Sequence, residues 1–144
     1  IYHPEVAAVL CYAPALRTTS LPQRLVAEVL KHWVPMYLKN SKPDGASARW
    51  QGYAHNPVHA ATQLFRLQVE VSRYLGDIHQ PLLVVQGKED RSVYPIVPDL
   101  IASSVRSKVV EIHWMPNSGH CVIIDTEREA VGEITLKFLN RVLK

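Results

Sequence analysis

Two residues that could cooperate in acid–base chemistry follow apolar runs in this 144-residue chain. Asp90 lies three residues after Gly87, at the end of one run, and His120 follows Gly119, just past the end of the next. An aspartate that accepts a hydrogen bond from one imidazole nitrogen fixes the histidine tautomer and stabilises the imidazolium that forms when the other nitrogen takes a proton. The two residues would be the acid and base of a triad. No Gly-x-Ser-x-Gly motif supplies a nucleophile.

The apolar runs predict strands of a parallel sheet. Residues 6–13, 82–86 and 109–115 are almost continuously apolar, which is typical of strands that helices cover on both faces. Amphipathic spacing predicts helices over 95–106 and from Thr126, as a cap, to the C-terminus. Strands that alternate with helices indicate the α/β class.

In open α/β sheets, functional residues occupy the loops that leave the carboxyl ends of the strands. We therefore expect Asp90 and His120 to converge on one crevice. Residues 17–77 are too long for a simple connection between two strands, and they contain helical patterns over 21–38 and 57–75. This insertion could fold as a lid over the ends of the sheet.

Composition and charge exclude several classes of protein. The formal charge of +3 is scattered, without the basic run or aromatic interleaving of a nucleic-acid surface. No apolar run approaches the roughly 20 residues of a membrane span. Cys11 and Cys121 lie far apart and outside any Cys-x-x-Cys pattern, so we expect a reducing, cytoplasmic location rather than a disulfide framework.

The segments around the two residues resemble those of serine hydrolases of the α/β-hydrolase fold, in particular small carboxylesterases and monoacylglycerol lipases. Residues 78–87, IHQPLLVVQG, are similar to the strand that leads to the catalytic acid, which implies that role for Asp90. The loop NSGH, ending at His120, is similar to the loop of the catalytic base. Asp125 is similar to an acid that often follows the base, where we expect it to cap the final helix.

The resemblance extends over nearly the whole chain. Residues 3–10 are similar to the segment that follows the nucleophile helix, and the insertion corresponds to the lid of the family. The implied fold is the C-terminal portion of an α/β-hydrolase, with parallel strands covered by helices. Residues 1–16 would be a core strand segment, 17–77 the helical lid, and 78–144 the core that carries the acid and base.

The resemblance also implies a reaction and a partner. Because the family order is Ser, Asp, His, the nucleophilic serine should precede Ile1. We therefore expect a fragment, inactive by itself, whose partner is a complementary N-terminal segment with the serine and the oxyanion hole. Without that segment the first strand would expose an apolar edge. The substrate would be a small carboxylic ester, and no metal or organic cofactor is expected. Val93 and Cys121, near the pair, are candidates for the pocket wall.

Other nucleophiles and ligands within the chain are poor candidates. Ser47 lacks the second glycine of an elbow, Ser118 lies too near His120 along the chain, and the side chain of Cys121 should diverge from its histidine neighbour. His55 and His59 have the spacing of metal ligands on a helix, but Pro57 interrupts that helix, and we expect no metal.

Three questions stay open from the residues alone. Trp33, Met36, Tyr37 and Leu38 could line an acyl pocket or form the core of the lid. The same fold with an aspartate nucleophile gives dehalogenases and epoxide hydrolases, and a member without activity could bind a small ligand. The residue at the nucleophile position discriminates between these classes.

Overall fold

A computed structural model describes residues 3, 5–17, 20–38 and 55–143. The elements in chain order are β1 (Val9–Tyr12), α1 (Leu21–Leu30), β2 (Met36–Leu38), β3 (His55–Pro57), α2 (Val58–Tyr74), a 3₁₀ turn (Leu75–Asp77), β4 (Leu82–Gly87), α3 (Val97–Ser104), β5 (Val110–Met115) and α4 (Arg128–Val142). Ser47, which the sequence makes a poor candidate for the nucleophile, lies outside the described residues.

A three-stranded parallel sheet forms the centre of the fold, in the order β1-β4-β5. β4 lies in the middle, and all six of its residues are buried. Leu82 is opposite Val9 on one side and Val110 on the other, while Gly87 is opposite Met115. The predicted parallel strands are confirmed, and the carboxyl ends of β4 and β5 lie at the same level.

Each face of β4 packs into its own apolar cluster. One cluster includes Leu82, Val84, Val93, Val97 and Ile101. The other includes Leu83, Val85, Val122, Val131 and Phe138. Since burial of one such side chain stabilises a fold by about 1.5–3 kcal/mol, these two layers hold β4 between α3 and α4.

The insertion between β1 and β4 contains more than helices. α2 confirms the helix predicted over 57–75. The helix predicted over 21–38 is wrong in its second half, because α1 ends at Leu30 and β2 then pairs antiparallel with β3. Pro35 explains the end, since proline disfavours helical backbone at the preceding residue and donates no hydrogen bond.

The charged and titratable side chains of β5 have interaction partners. His113 Nε2 lies 3.1 Å from Glu111 Oε2, and Arg141 of α4 forms an ion pair with Glu111. These contacts let polar side chains occupy a half-buried strand. None of the helices within the described ranges combines the length and apolar character that a membrane crossing requires.

The end of β4 lies directly against the loop that follows β5. A Cβ atom on Gly87 would lie 2.2 Å from the carbonyl oxygen of Ser118 and 2.3 Å from that of Gly119. Both neighbours are backbone atoms, so no side chain can rotate away to make room. Only glycine permits this approach.

We predict opposite effects for two glycine substitutions. Gly87→Ala should lower the free energy of unfolding by about 1–3 kcal/mol, because the added methyl group overpacks the contact with the loop. Gly132→Ala is the control: it lies on α4, where the added methyl group would have no atom within 4 Å apart from its chain neighbours and the nearby backbone of its own helix, and it should raise that free energy by up to about 1 kcal/mol. Urea unfolding of the protein that contains this chain measures both changes. Equal effects of the two substitutions would contradict the close approach.

Candidate active site

Asp90 and His120 meet at the carboxyl ends of β4 and β5. His120 Nδ1 lies 2.9 Å from Asp90 Oδ2, a hydrogen bond between residues 30 positions apart. The Asp90 side chain is 1% exposed, whereas that of His120 is 35% exposed. The structure therefore brings the two residues together, with the carboxylate inside and one side of the imidazole open.

Further donors hold the Asp90 carboxylate. Oδ1 accepts hydrogen bonds from the backbone N–H groups of Ser92, at 2.7 Å, and Val93, at 3.1 Å. Oδ2 also accepts one from Nε2 of Gln86, at 2.5 Å. The turn from Gly87 to Asp90 is closed by a backbone hydrogen bond between these two residues. Both oxygens of the buried charge are thus paired, as burial of a charge requires.

These contacts favour the ionised form of the carboxyl. Burial acts to raise the pKa of Asp90, but the hydrogen bonds from His120, Ser92 and Val93 and the charge of His120 outweigh it and hold the pKa below its ordinary value. A carboxylate only accepts, so Nδ1 of His120 carries the proton. The lone pair of the neutral ring is then on Nε2, which has no hydrogen-bond partner within the described part of the chain and can take a proton.

Acidic residues after His120 hold its loop in place. Asp125 is fully buried, and its Oδ2 accepts a hydrogen bond from Gly119 N–H at 2.9 Å. Glu127 Oε2 accepts from Asn117 N–H at 2.8 Å and from Ser118 Oγ at 2.7 Å. These contacts fix the backbone on the N-terminal side of the imidazole.

The expected helix caps are therefore wrong. α4 begins at Arg128 with Glu127 at its N-cap, so neither Asp125 nor Thr126 is the cap residue. The Thr126 hydroxyl instead donates to the carbonyl of Asn117 at 2.7 Å. The sequence predicted a helix start correctly to within two residues. It contained no signal that these polar groups turn back toward the histidine loop.

The remaining predicted residues occupy different environments. Val93 is buried in the apolar cluster on the α3 side of β4, and its N–H bonds to Asp90. Cys121 is half-buried and carries a free thiol. Ser118 is buried, and its hydroxyl donates to Glu127 within the loop. A pocket-wall role for Val93 and Cys121 stays a prediction.

Two further hypotheses concern the insertion. His55 lies in β3 and His59 in α2, so one continuous helix does not carry both, and the interruption at Pro57 is confirmed. Trp33 is 82% exposed and is not part of a packed core in the described structure. The side chains of residues 36–38 lie outside the description.

Known proteins of similar sequence and structure support this fold, whereas no family model matches the chain. A carboxylesterase of Bacillus subtilis strain 168 is 24% identical over 121 residues, which cover 80% of this chain and 49% of that protein. The chain thus spans about half the length of this curated relative.

Solved structures give the same result. A structure of the metagenome-derived lipolytic enzymes LipS and LipT superposes with a TM-score of 0.86 and 25% identity, over 96% of this chain and 57% of the other. The monoacylglycerol lipase of Paleococcus ferrophilus gives 0.75 and 16%, over 95% of this chain and 60% of that one, and shows the fold alone. The chain is part of an α/β-hydrolase fold, and it is similar to carboxylesterases and lipolytic enzymes.

We predict that Asp90 contributes stability that depends on pH. Because its pKa is lowered in the folded state, the contribution is complete above the unfolded pKa of about 4 and is lost as the pH falls through the folded value. Asp90→Asn should therefore lower the free energy of unfolding at about pH 7, and the difference from wild type should shrink below about pH 4. Urea unfolding across this pH range measures it.

A matched substitution tests whether the effect belongs to the buried site. Glu133→Gln removes an exposed carboxyl of α4 and should change the free energy of unfolding little at any pH in the series. A difference between wild type and Asp90→Asn that stays constant down to about pH 3 would contradict an ionised, hydrogen-bonded Asp90.

Proposed function

We propose that this chain carries the acid and base of a carboxylic ester hydrolase of the carboxylesterase or monoacylglycerol lipase type. One observation supports this above the others. The buried Asp90 carboxylate and His120 Nδ1 form a 2.9 Å hydrogen bond at the ends of two parallel strands, in a fold shared with a lipolytic enzyme. The nucleophile of the triad would be a serine outside these 144 residues.

The reaction follows from the orientation of His120. Nε2 takes the proton of the serine hydroxyl as its oxygen attacks the ester carbonyl, and Asp90 stabilises the resulting imidazolium. The tetrahedral intermediate then expels the alcohol, which receives that proton from Nε2 and leaves an acyl-serine. Water, deprotonated by the same nitrogen, attacks the acyl group, and collapse of the second intermediate returns the proton to the serine and releases the acid. Backbone N–H groups of the complementary segment would hold the oxyanion.

The complementary segment would dock on the free edge of β1 and an adjacent groove. Within the described residues, β1 pairs with β4 on one side only, so its other edge offers free backbone groups. Near the amino end of β1 lies a groove of about 610 Å³ with exposed apolar side chains. Its apolar lining residues are Val6, Val9, Leu67, Val71, Tyr74 and Ile78. This chain covers 57% of a matching lipolytic structure. The complementary segment would supply the part of the fold that covers this surface.

We assign the insertion between β1 and β4 the role of a lid over the substrate. It follows β1 at the carboxyl end of the strand, the same end of the sheet at which Asp90 and His120 meet. The substrate would be a small ester with a short to medium acyl chain, monoacylglycerols included. The cytoplasm is the proposed location, and the free thiols of Cys11 and Cys121 are compatible with it.

We predict that a fluorophosphonate probe labels a serine of the complete protein, and that His120→Ala abolishes the labelling. Turnover of a p-nitrophenyl ester should fall on the order of 10⁴-fold in kcat for His120→Ala, because the serine loses its base. His79→Ala removes an exposed histidine that precedes the amino end of β4, whereas the pair lies at the carboxyl end, and is the control that should retain activity.

The labelling site discriminates between the alternatives. Mass spectrometry should locate the probe on a serine outside residues 1–144. A labelled Ser47 or Ser118 would overturn the assignment of the nucleophile. No labelling together with turnover of an epoxide or a haloalkane would identify an aspartate nucleophile, whereas no turnover at all would favour a binding protein.

We also predict that the 144-residue chain alone hydrolyses no ester, because it would lack the nucleophile and the oxyanion hole. Activity should return when a separately expressed complementary segment is added, measured with the same p-nitrophenyl ester. Hydrolysis by the purified chain alone would contradict the need for a second segment.

A further inference from the structure

Gln86 is a buried polar residue in an otherwise apolar stretch of strand. It is 1% exposed, and the four residues before it in β4, Leu82–Val85, are fully buried and apolar. Replacement by another aliphatic side chain would continue the pattern of this strand. A buried amide in such a place needs a partner, because an unpaired polar group in an apolar interior is unfavourable.

Only one end of the Gln86 amide has a partner. Nε2 lies 2.5 Å from Asp90 Oδ2, whereas Oε1 is buried with no hydrogen-bond partner among the described residues. The opposite orientation would place Oε1 against the carboxylate, two acceptors in contact, so the amide must present its N–H group. Gln86 therefore has a buried amide whose donor end is paired and whose acceptor end is not, so the bond to Asp90 is the polar contact that this side chain makes.

We propose that Gln86 is a positioning residue for the Asp90–His120 pair; this inference rests on the function proposed above. The N–H groups of Ser92 and Val93 hold Oδ1, but they leave the carboxylate free to turn Oδ2 away from the imidazole. The Gln86 amide removes that freedom, because it bonds the same oxygen that accepts from His120 Nδ1. Held at both oxygens, the carboxylate keeps Nε2 of His120 aimed at the crevice.

A neutral amide also suits the electrostatics of the pair. The titratable group that acts on the Asp90 carboxylate within the described residues is His120. Gln86 shares the charge on Oδ2 without a proton of its own to gain or lose. Its hydrogen bond therefore holds Oδ2 in place without any change in the charge of Gln86 as the pH varies.

Gln86→Met tests the inference, since methionine has a similar length and no donor. In the complete protein, kcat for ester hydrolysis should fall about 10-fold to 100-fold with KM within about two-fold, because the base is misplaced rather than the substrate lost. Thr135→Val is the control, because Thr135 is a half-buried polar residue of α4 whose hydroxyl bonds the Val131 carbonyl and the Tyr12 hydroxyl, outside both the site and the insertion.

The control separates positioning from general destabilisation. Thr135→Val should lower thermal stability to a similar extent and leave kcat and KM as in wild type. Gln86→Glu provides a second, conservative variant. Beside Asp90 the added carboxyl retains its proton to a higher pH than usual and can donate to Oδ2. Below about pH 6, Gln86→Glu should therefore recover most of the kcat that Gln86→Met loses. At higher pH the proton between the two carboxyl groups dissociates, and kcat should fall again.

Two outcomes would overturn the role of Gln86. One is a kcat in Gln86→Met that matches that of Thr135→Val; the other is a Gln86→Glu variant that is no more active than Gln86→Met at any pH. If the wild-type protein hydrolyses no ester, the proposed function fails instead. The ¹H NMR signal of the proton on His120 Nδ1 then still decides the contact. This signal should shift in Gln86→Met and stay unchanged in Thr135→Val, and an unchanged signal in both variants would refute the contact.

Discussion

The buried carboxylate of Asp90 is the constraint on which the geometry of the site depends. A charge that is almost entirely removed from water destabilises the fold unless each of its oxygens is hydrogen-bonded. Two backbone N–H groups, the Gln86 amide and His120 meet that requirement. The need to pair the charge therefore orders the turn after β4 and the imidazole in the same set of contacts.

The second constraint is the contact between Gly87 and the loop that follows β5. With no side chain at Gly87, the carbonyls of Ser118 and Gly119 approach the end of β4, and Glu89 N–H donates to the carbonyl of Ser118. Asp125 and Glu127 hold the same loop from the other side. The loop is therefore fixed between a strand and its own return segment, and His120 extends from a rigid support.

The described sheet is relevant to the proposed need for a further segment. Its middle strand is buried on both faces and paired on both edges, while β1 lies at the end of the strand order. Asp90 and His120 lie in the loops that follow the well-packed strands β4 and β5. The proposed nucleophile would come from beyond β1, so docking of that segment would complete both the core and the reaction.

The local pattern of the sequence was sufficient to predict the α/β class, the three parallel strands and α2, because apolar runs and helical spacing depend on neighbours along the chain. It was also sufficient to predict that Asp90 and His120 converge, because both follow strands whose carboxyl ends meet at one edge of the sheet. It was not sufficient for the β2–β3 pair, since this pairing joins residues that are distant along the chain. The role of Asp125 in the histidine loop and the bond from Gln86 to Asp90 were likewise decided by the tertiary structure. A polar side chain shows its type in the sequence, but only packing determines which buried group it must satisfy.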